Sequence, residues 1–242
     1  MEYIELEALF CKSMQENGLS IPETDKIERF WRFSKHLLQV NQITNLTAIR
    51  NMPDTITNHL IDSLLCEEYI PQGTRVLDIG CGPGFPSLPL AIMRPDLEIV
   101  ALDSTAKKIA FVQESAQLLS LENITAISGR AEDAAISKKI GTFDVVVSRA
   151  VAKMSILSEL CLPYVKIGGR FIALKAAKAE EELAEATNGI RILGGSNATL
   201  HEKELSLADG ASERRCLIEV QKAKKTPAGY PRSYSQISKK PL

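Results

Sequence analysis

Little in these 242 residues points toward a membrane, a secretory route or a metal. No stretch approaches ~18 consecutive apolar residues, so no membrane-spanning helix is expected. The opening segment, MEYIELEALF, is acidic and lacks a basic region ahead of an apolar core, so it does not read as a secretory signal. The five cysteines (Cys11, Cys66, Cys81, Cys161, Cys216) form no C-x-x-C pair and have no ligand spacing to the three histidines. They read as reduced cytosolic thiols, mostly core fillers, which places the protein in the cytoplasm and argues against a metal site.

A strong basic balance is also missing, since the formal net charge is −1. The distribution tells more than the sum. Residues 221–242, QKAKKTPAGYPRSYSQISKKPL, hold six basic residues and no acid. Lys222, Lys224, Lys225, Arg232, Lys239 and Lys240, interleaved with Tyr230 and Tyr234, could contact phosphates and stack on bases. The alternative is a solvated tail of no function, and composition leaves the two in balance.

What is present is concentrated in residues 75–104, RVLDIGCGPGFPSLPLAIMRPDLEIVALDS. Arg75–Ile79 reads as a short buried strand. Gly80, Gly82 and Gly84 follow at alternate positions, where backbone can approach a ligand closely and take positive φ without penalty. A helix beginning near Phe85 would aim its free N–H groups into the same space. A second strand, Glu98–Leu102, stops at Asp103, 23 positions beyond Gly80, where a carboxylate of a βαβ unit can accept ribose hydroxyls. The dinucleotide fingerprint G-x-G-x-x-G would need glycine where Phe85 stands, and there is no basic P-loop ending. The unit binds a nucleoside rather than a pyrophosphate.

Around this unit, strands and helices alternate. Strands are expected at 124–128, 143–148 and 170–174, with helices at 105–119, 154–164 and 177–187, and with 189–202 and 213–221 as an antiparallel pair. Before the first strand come helices over 2–17, from Pro22 to Val40, and from Pro53 to Leu64; polar Asn41–Thr47 reads as a loop. The fold class is α/β: a Rossmann-like doubly wound sheet, mainly parallel with an antiparallel last strand, plus an N-terminal helical cap. The division expected is a cap over 1–66, a nucleoside-binding domain over 67–221 and a basic tail over 222–242. Asp103, Ala131-Glu132 and Arg149 all fall at carboxyl ends of strands, where such sheets bind ligands.

The order of acid, glycines and second acid, D-x-G-x-G-x-G followed by Asp103, resembles the first motifs of class I S-adenosylmethionine-dependent methyltransferases. That resemblance implies cofactor contacts from Asp78, Gly80, Gly82, Gly84, Asp103 and Ser104. A narrower resemblance runs from Asn45-Leu46-Thr47 through His59-Leu60-Ile61-Asp62-Ser63-Leu64 and the glycine motif. It continues through Arg130-Ala131-Glu132, Ser148-Arg149-Ala150-Val151-Ala152, Leu160-Cys161-Leu162-Pro163, Leu174-Lys175 and Tyr230-Pro231-Arg232. The chain is similar to the RsmG (GidB) family of small-subunit ribosomal RNA guanine-N7 methyltransferases. Cys81 and Ser87 depart from the family pattern, and both side chains are small.

The resemblance implies S-adenosylmethionine as donor and a guanosine in the 530 loop of 16S rRNA as acceptor, in the small subunit or its assembly intermediate. It implies cofactor contacts by Gly80, Phe85, Ala131, Glu132 and Arg149. Guanine N7 needs no deprotonation, so positioning and exclusion of water can carry the reaction. The missing Asp/Asn-Pro-Pro-Tyr/Phe segment after the fourth strand, and the apolar setting of Cys161, agree with that.

Arg149 is the candidate catalytic residue; the bland reading is a surface ion pair. Glu132 is a cofactor ligand or an acid at a helix start. Arg130, Lys175, Arg214 and Arg232 are candidate RNA contacts, each otherwise a solvated charge. His59 could point into the cleft from the cap helix but reads first as a satisfied core or surface histidine, and Phe30 and Trp31 read as core. Nothing demands more than a monomer. The competing functions are a methyltransferase for another RNA, a small molecule or a protein, a nicotinamide oxidoreductase, and an RNA-binding protein with a relict pocket.

Overall fold

The apolar spacing of the first forty residues folds as two helices, α1 (Tyr3–Glu16) and α2 (Thr24–Thr44), in a computed structural model that describes residues 2–149, 151–176 and 178–242. Phe10 and Phe30, one from each, are fully buried with ring centroids 4.8 Å apart. Helix α2 runs further than its polar end suggests. Asn41 is buried inside it, donating through Nδ2 to the carbonyls of Thr47 and Ile49 and accepting at Oδ1 from the N–H groups of Leu46 and Thr47. All four hydrogen-bonding positions of the amide are used, so the polarity read as a loop marks an anchor that folds the chain back after Asn45, at φ 49°.

The third helix begins at Met52, one residue before the expected Pro53, and is not uniform. Two short α-helical turns, α3 (Met52–Asp54) and α4 (Asp62–Leu64), flank a π-helical segment, Thr55–Ile61. Such widened turns are frequent at functional sites, and this one carries His59 next to Asn58.

The rest is the alternation read from the sequence: β1 (Arg75–Ile79), α5 (Ser87–Met93), β2 (Glu98–Asp103), α6 (Ala106–Leu118), β3 (Ile124–Ser128), α7 (Ala134–Ile140), β4 (Phe143–Arg149), α8 (Met154–Cys161), β5 (Val165–Lys175), α9 (Ala179–Ile192), β6 (Gly195–Ser206), β7 (Ser212–Lys222) and α10 (Tyr234–Lys239). The strands form one seven-stranded sheet in the order β3-β2-β1-β4-β5-β7-β6. The pairs among β1 to β5 are parallel, and β7 is antiparallel to both its neighbours.

Three details differ from expectation. Helix α7 is extra, capped by Asp133, whose carboxylate accepts the Ala135 N–H at 2.8 Å, and ended by Gly141 at φ 73°. Helix α9 continues to Ile192, so β6 starts at Gly195 rather than 189. Gly189, inside this helix, lies against the C-terminus: a Cβ there would sit 2.9 Å from Leu242 Cβ. Gly168-Gly169 falls inside β5, where pairing jumps from Phe143–Val165 to Val145–Arg170. Ala177, the first residue expected for α9, and Ala150 of the segment after β4 lie outside the described residues.

One apolar core joins the cap to the sheet. Phe10, Phe30 and Phe33 share a buried cluster with Val76, Ile99 and Val145, so the cap covers one face of the sheet. A second cluster, with Phe143, Tyr164 and Phe171, lies under α8 and α9 on the other face.

The basic tail is built into this second layer. Lys222, read as its first residue, ends β7 and is buried; Nζ donates to the carbonyls of Leu162 and Leu193, at 2.8 and 2.6 Å, and to the Thr226 hydroxyl. Burial lowers this ammonium to about 8. Arg232 donates to fully buried Glu159 through its backbone N–H, Nε and Nη2, at 2.9, 2.8 and 2.6 Å. Its guanidinium serves a structural pair, a different task from the RNA contact read for it. With Ile237 also buried, residues 223–242 form a strap across the α8 side.

Candidate active site

The glycine loop sits where β1 hands over to α5, and its conformation explains each glycine. Gly80 has φ 74°, and a Cβ there would lie 2.3 Å from Val151 Cγ2. Gly82 has φ 57° and an open side, while a Cβ at Gly84 would strike Leu88 at 2.4 Å. So Gly80 and Gly82 shape the cleft, and Gly84 lets the helix pack.

The backbone N–H groups of this loop are already used. Those of Gly80 and Cys81 bond to Leu102 O, that of Gly82 to Asp103 Oδ2, and those of Gly84 and Phe85 to Cys81 O; Pro83 has none. A loop that spends its N–H groups on protein cannot cradle a phosphate, in keeping with the missing P-loop ending. Asp103 also accepts the Thr105 N–H at Oδ1, 2.8 Å. Each oxygen of this part-buried carboxylate keeps a second lone pair for a ligand hydroxyl.

Between this loop, the end of β2 and the segment after β3 lies a cavity of about 530 Å³. Gly80, Gly82, Phe85, Asp103, Ser104, Arg130, Ala131, Glu132 and Arg149 all line it. The Tyr164 hydroxyl donates to Ala131 O at 2.7 Å and fixes that segment. Two expected residues are not on the wall. Asp78 is fully buried behind the loop, where Oδ2 accepts the Ser87 N–H at 3.1 Å and Oδ1 has no hydrogen-bond partner among the described residues. Burial raises it to about 8, against the pull of hydrogen bonds from Ser87 and the Arg149 charge. Asp78 therefore braces the loop from behind, and Gly84 packs on Leu88.

Arg149, at the end of β4, is held on several sides. Nη1 donates to Asp62 Oδ2 at 2.7 Å and to Asn58 O at 3.0 Å, and Nη2 reaches His59 Nδ1 at 3.2 Å. A guanidinium only donates, so His59 Nδ1 is the acceptor and Nε2 carries the proton, donated to Thr47 Oγ1 at 2.8 Å. Burial, and then the neighbouring arginine, lower His59 to about 3, so it is neutral at physiological pH. Its ring stacks on Phe85 at 4.3 Å, and the Arg149 guanidinium lies 5.1 Å from the same ring.

The donor set suits S-adenosylmethionine. Asp103, a carboxylate with spare lone pairs able to accept hydroxyls, lines the cavity with apolar Phe85 and Leu102, which offer surface to a neutral ring. The glycine-loop N–H groups form no phosphate cradle. A sulfonium also requires that nearby cations be compensated, and here Arg149 is paired and His59 is neutral.

Comparison with known proteins decides between the class I readings. The model of the GidB family, rRNA small subunit methyltransferase G, matches residues 26–208. Ribosomal RNA small subunit methyltransferase G of Clostridium beijerinckii is 41% identical over 237 residues, 97% of this chain and 98% of that protein. The protein of the same name from Clostridium perfringens strain 13 is 40% identical over the full length of both. This chain belongs to the rRNA small subunit methyltransferase G family.

Solved structures support the fold of this family member. The O-methyltransferase from Bacillus cereus, in complex with SAH, superposes with a TM-score of 0.57 at 17% identity, over 90% of this chain and 100% of that one. A precorrin-6y C5,15-methyltransferase from Geobacter metallireducens gives 0.52 at 15% identity, over 67% and 87%. The sheet is thus the class I methyltransferase sheet.

Sequence reasoning missed part of the cleft wall. Thr47, Lys108, Leu160 and Tyr234 line it as well, beside His59, for which the cleft is the second reading. Thr47 and His59 stood in stretches resembling the family; Tyr234 had no local signal, because only the folded strap brings it there. The expected RNA contacts separate. Arg130 is at the cleft with 63% of its side chain exposed, while Lys175 lies in an adjoining cavity. Arg214, on β7, pairs with Glu180 and Glu202.

Proposed function

We propose that this family member transfers a methyl group from S-adenosylmethionine to N7 of a guanosine in the 530 loop of 16S rRNA, acting as a monomer in the cytoplasm on the small subunit or its assembly intermediate. Family membership supports the methyltransferase chemistry and the ribosomal acceptor. The observation that carries the cofactor reading is the cleft itself: glycine-loop N–H groups all satisfied, Asp103 keeping free lone pairs, and Arg149 compensated.

S-adenosylmethionine, when bound, supplies a methyl group activated by its sulfonium. The chain's residues have no proton to move, because the N7 lone pair attacks directly: the N7–methyl bond forms as the sulfur–methyl bond breaks, and the positive charge passes from sulfur to guanine. Asp103, Glu132 and the Gly80–Phe85 loop would hold the donor. Arg149, fixed by Asp62, Asn58 and His59, would orient the meeting of donor and base. A neutral His59 fits this chemistry better than a protonated imidazolium would, since it adds no positive charge beside the sulfonium.

The exposed cations of the strap, Lys224, Lys225, Lys239 and Lys240, would meet phosphates away from the reacting base. The test is transfer of labelled methyl to small ribosomal subunits, with the modified nucleoside identified by mass spectrometry. Cofactor binding without transfer to subunit or RNA would keep the fold and discard the acceptor.

A further inference from the structure

We propose that a second cavity beside the cofactor cleft is the pocket for the acceptor guanosine, swung out of its RNA, and that Glu182 reads the base. The proposal rests on the ribosomal guanosine reading above and adds the acceptor site to it. The cavity has a volume of about 490 Å³, and Arg149 and Val151 belong both to its wall and to that of the first cleft. A donor in one and an acceptor in the other would meet across that shared wall.

The charges around the cavity exclude most ligands. Three carboxylates, Asp62, Glu182 and Glu213, face three cations, Arg149, Lys175 and Arg215. A phosphate or a carboxylate gains nothing from so balanced a site. A neutral heteroaromatic ring with donors and acceptors on its edge does, and Leu65, Leu174 and Leu217 give its faces apolar contact.

The carboxylates then choose the base. Asp62 is spent, with Oδ2 on Arg149 at 2.7 Å and Oδ1 on Arg215 at 2.8 Å. Glu213 pairs with Arg215 at 2.7 Å and is half-exposed at the rim. Glu182 is different. Its Oε2 accepts the Met154 N–H at 2.8 Å and forms an ion pair with the Lys175 ammonium at 2.6 Å, while Oε1 makes no hydrogen bond among the described residues. Lys175 is fixed in turn by Ala152 O at 2.5 Å. The result is one oriented acceptor on a rigid mount.

Guanine presents two adjacent donors, N1–H and the 2-amino group, where adenine presents an acceptor at N1, so a carboxylate selects guanine. A guanine held by that edge turns its imidazole ring, and N7, away from Glu182 and toward the shared wall. Methylation at N7 leaves the ring cationic, which makes N1–H a stronger donor. The bond to Glu182 therefore tightens as the methyl moves, and it contributes to the transition state rather than to binding alone.

The test compares full-length wild type and Glu182→Gln, with S-adenosylmethionine, on small-subunit RNA carrying guanosine or inosine at the target. Inosine keeps N7 and lacks the 2-amino group. The wild type should lose on the order of tenfold in kcat/KM on the inosine RNA. E182Q should lose more than that on guanosine, and a smaller but definite factor on inosine, which keeps N1–H and lacks the 2-amino group, with cofactor Kd unchanged. Glu182→Asp keeps the charge beside Lys175 and withdraws the carboxylate by one methylene, and it carries the same comparison if the Gln variant is unstable. Wild-type rates for the variants on guanosine overturn the proposal. So does an equal loss on both RNAs, which marks a merely structural role. A wild type that methylates no guanosine removes the underlying reading, and this site with it.

Discussion

Asp62 Oδ2 lies 2.7 Å from Arg149 Nη1, and the same carboxylate holds Arg215 through its other oxygen. Both members of the Asp62–Arg149 pair are largely buried, at 12% and 13% side-chain exposure. The arrangement is unequal. Asp62→Ala leaves Arg149 without a carboxylate and Arg215 with only half-exposed Glu213, whereas Arg149→Ala leaves Asp62 still paired with Arg215. Breaking such a pair from its shared side should cost about 3–5 kcal/mol. Thermal unfolding should therefore show a clearly larger drop in Tm for D62A than for R149A, while R149A abolishes methyl transfer. Equal Tm losses would contradict the shared-carboxylate account.

The glycine loop gives a graded pair of substitutions. Gly80→Ala combines positive φ with a 2.3 Å approach to Val151, and should cost about 1–3 kcal/mol along with much of the cofactor affinity. Gly82→Ala has positive φ and no clash within the protein, so its strain should be about 1–2 kcal/mol. Titration calorimetry with S-adenosylmethionine should rank G80A as the weaker binder, and the reverse order would mean that the loop does not line the cofactor site.

Asp78 and His59 place opposite limits on pH stability. Burial raises Asp78 from 3.8 to about 8, so the fold favours its protonated form. That contribution is fully present below the unfolded value and is lost as pH rises through about 8. His59 is lowered from 6.5 to about 3, so its contribution is full above 6.5 and is lost as pH falls toward 3. Urea unfolding across pH should show Asp78→Asn losing less stability than wild type between mildly acid and mildly alkaline pH. Parallel curves for the two proteins would remove Asp78 from this role.

Much of the fold was legible because its signals are local. Strands β1, β2 and β3 are short apolar runs between turn residues, and Gly80, Phe85 and Asp103 stand in fixed order along the chain. What stayed hidden depends on distant partners. Asn41 looked like loop because its four hydrogen bonds come from residues folded back on it. Arg232 looked like a free cation because Glu159 is 73 positions away. Asp78 was read as a ligand contact from its motif, but its distance behind the loop is set by the loop's path. Tyr234 reaches the cleft only through the strap.

The strap also separates two kinds of basic residue. Arg232→Ala strands the fully buried Glu159 and should cost about 3–5 kcal/mol with no specific change in RNA affinity at temperatures where it stays folded. Replacing Lys224, Lys225, Lys239 and Lys240 by alanine should leave Tm nearly unchanged and lower the slope of log affinity against log salt by as much as about 3–4 units. Binding of small-subunit RNA measured at several salt concentrations checks both. An unchanged slope in the lysine variant would remove the strap from the RNA surface.

The central claim is methyl transfer to one ribosomal guanosine. Its most direct measurement uses small subunits purified from cells lacking this protein, incubated with the enzyme and labelled S-adenosylmethionine, with the product mapped by mass spectrometry. The account predicts N7-methylguanosine at a single position in the 530 loop, lost with Arg149→Ala. Label on another base, on protein or on no ribosomal component, with the cofactor still bound, would contradict it.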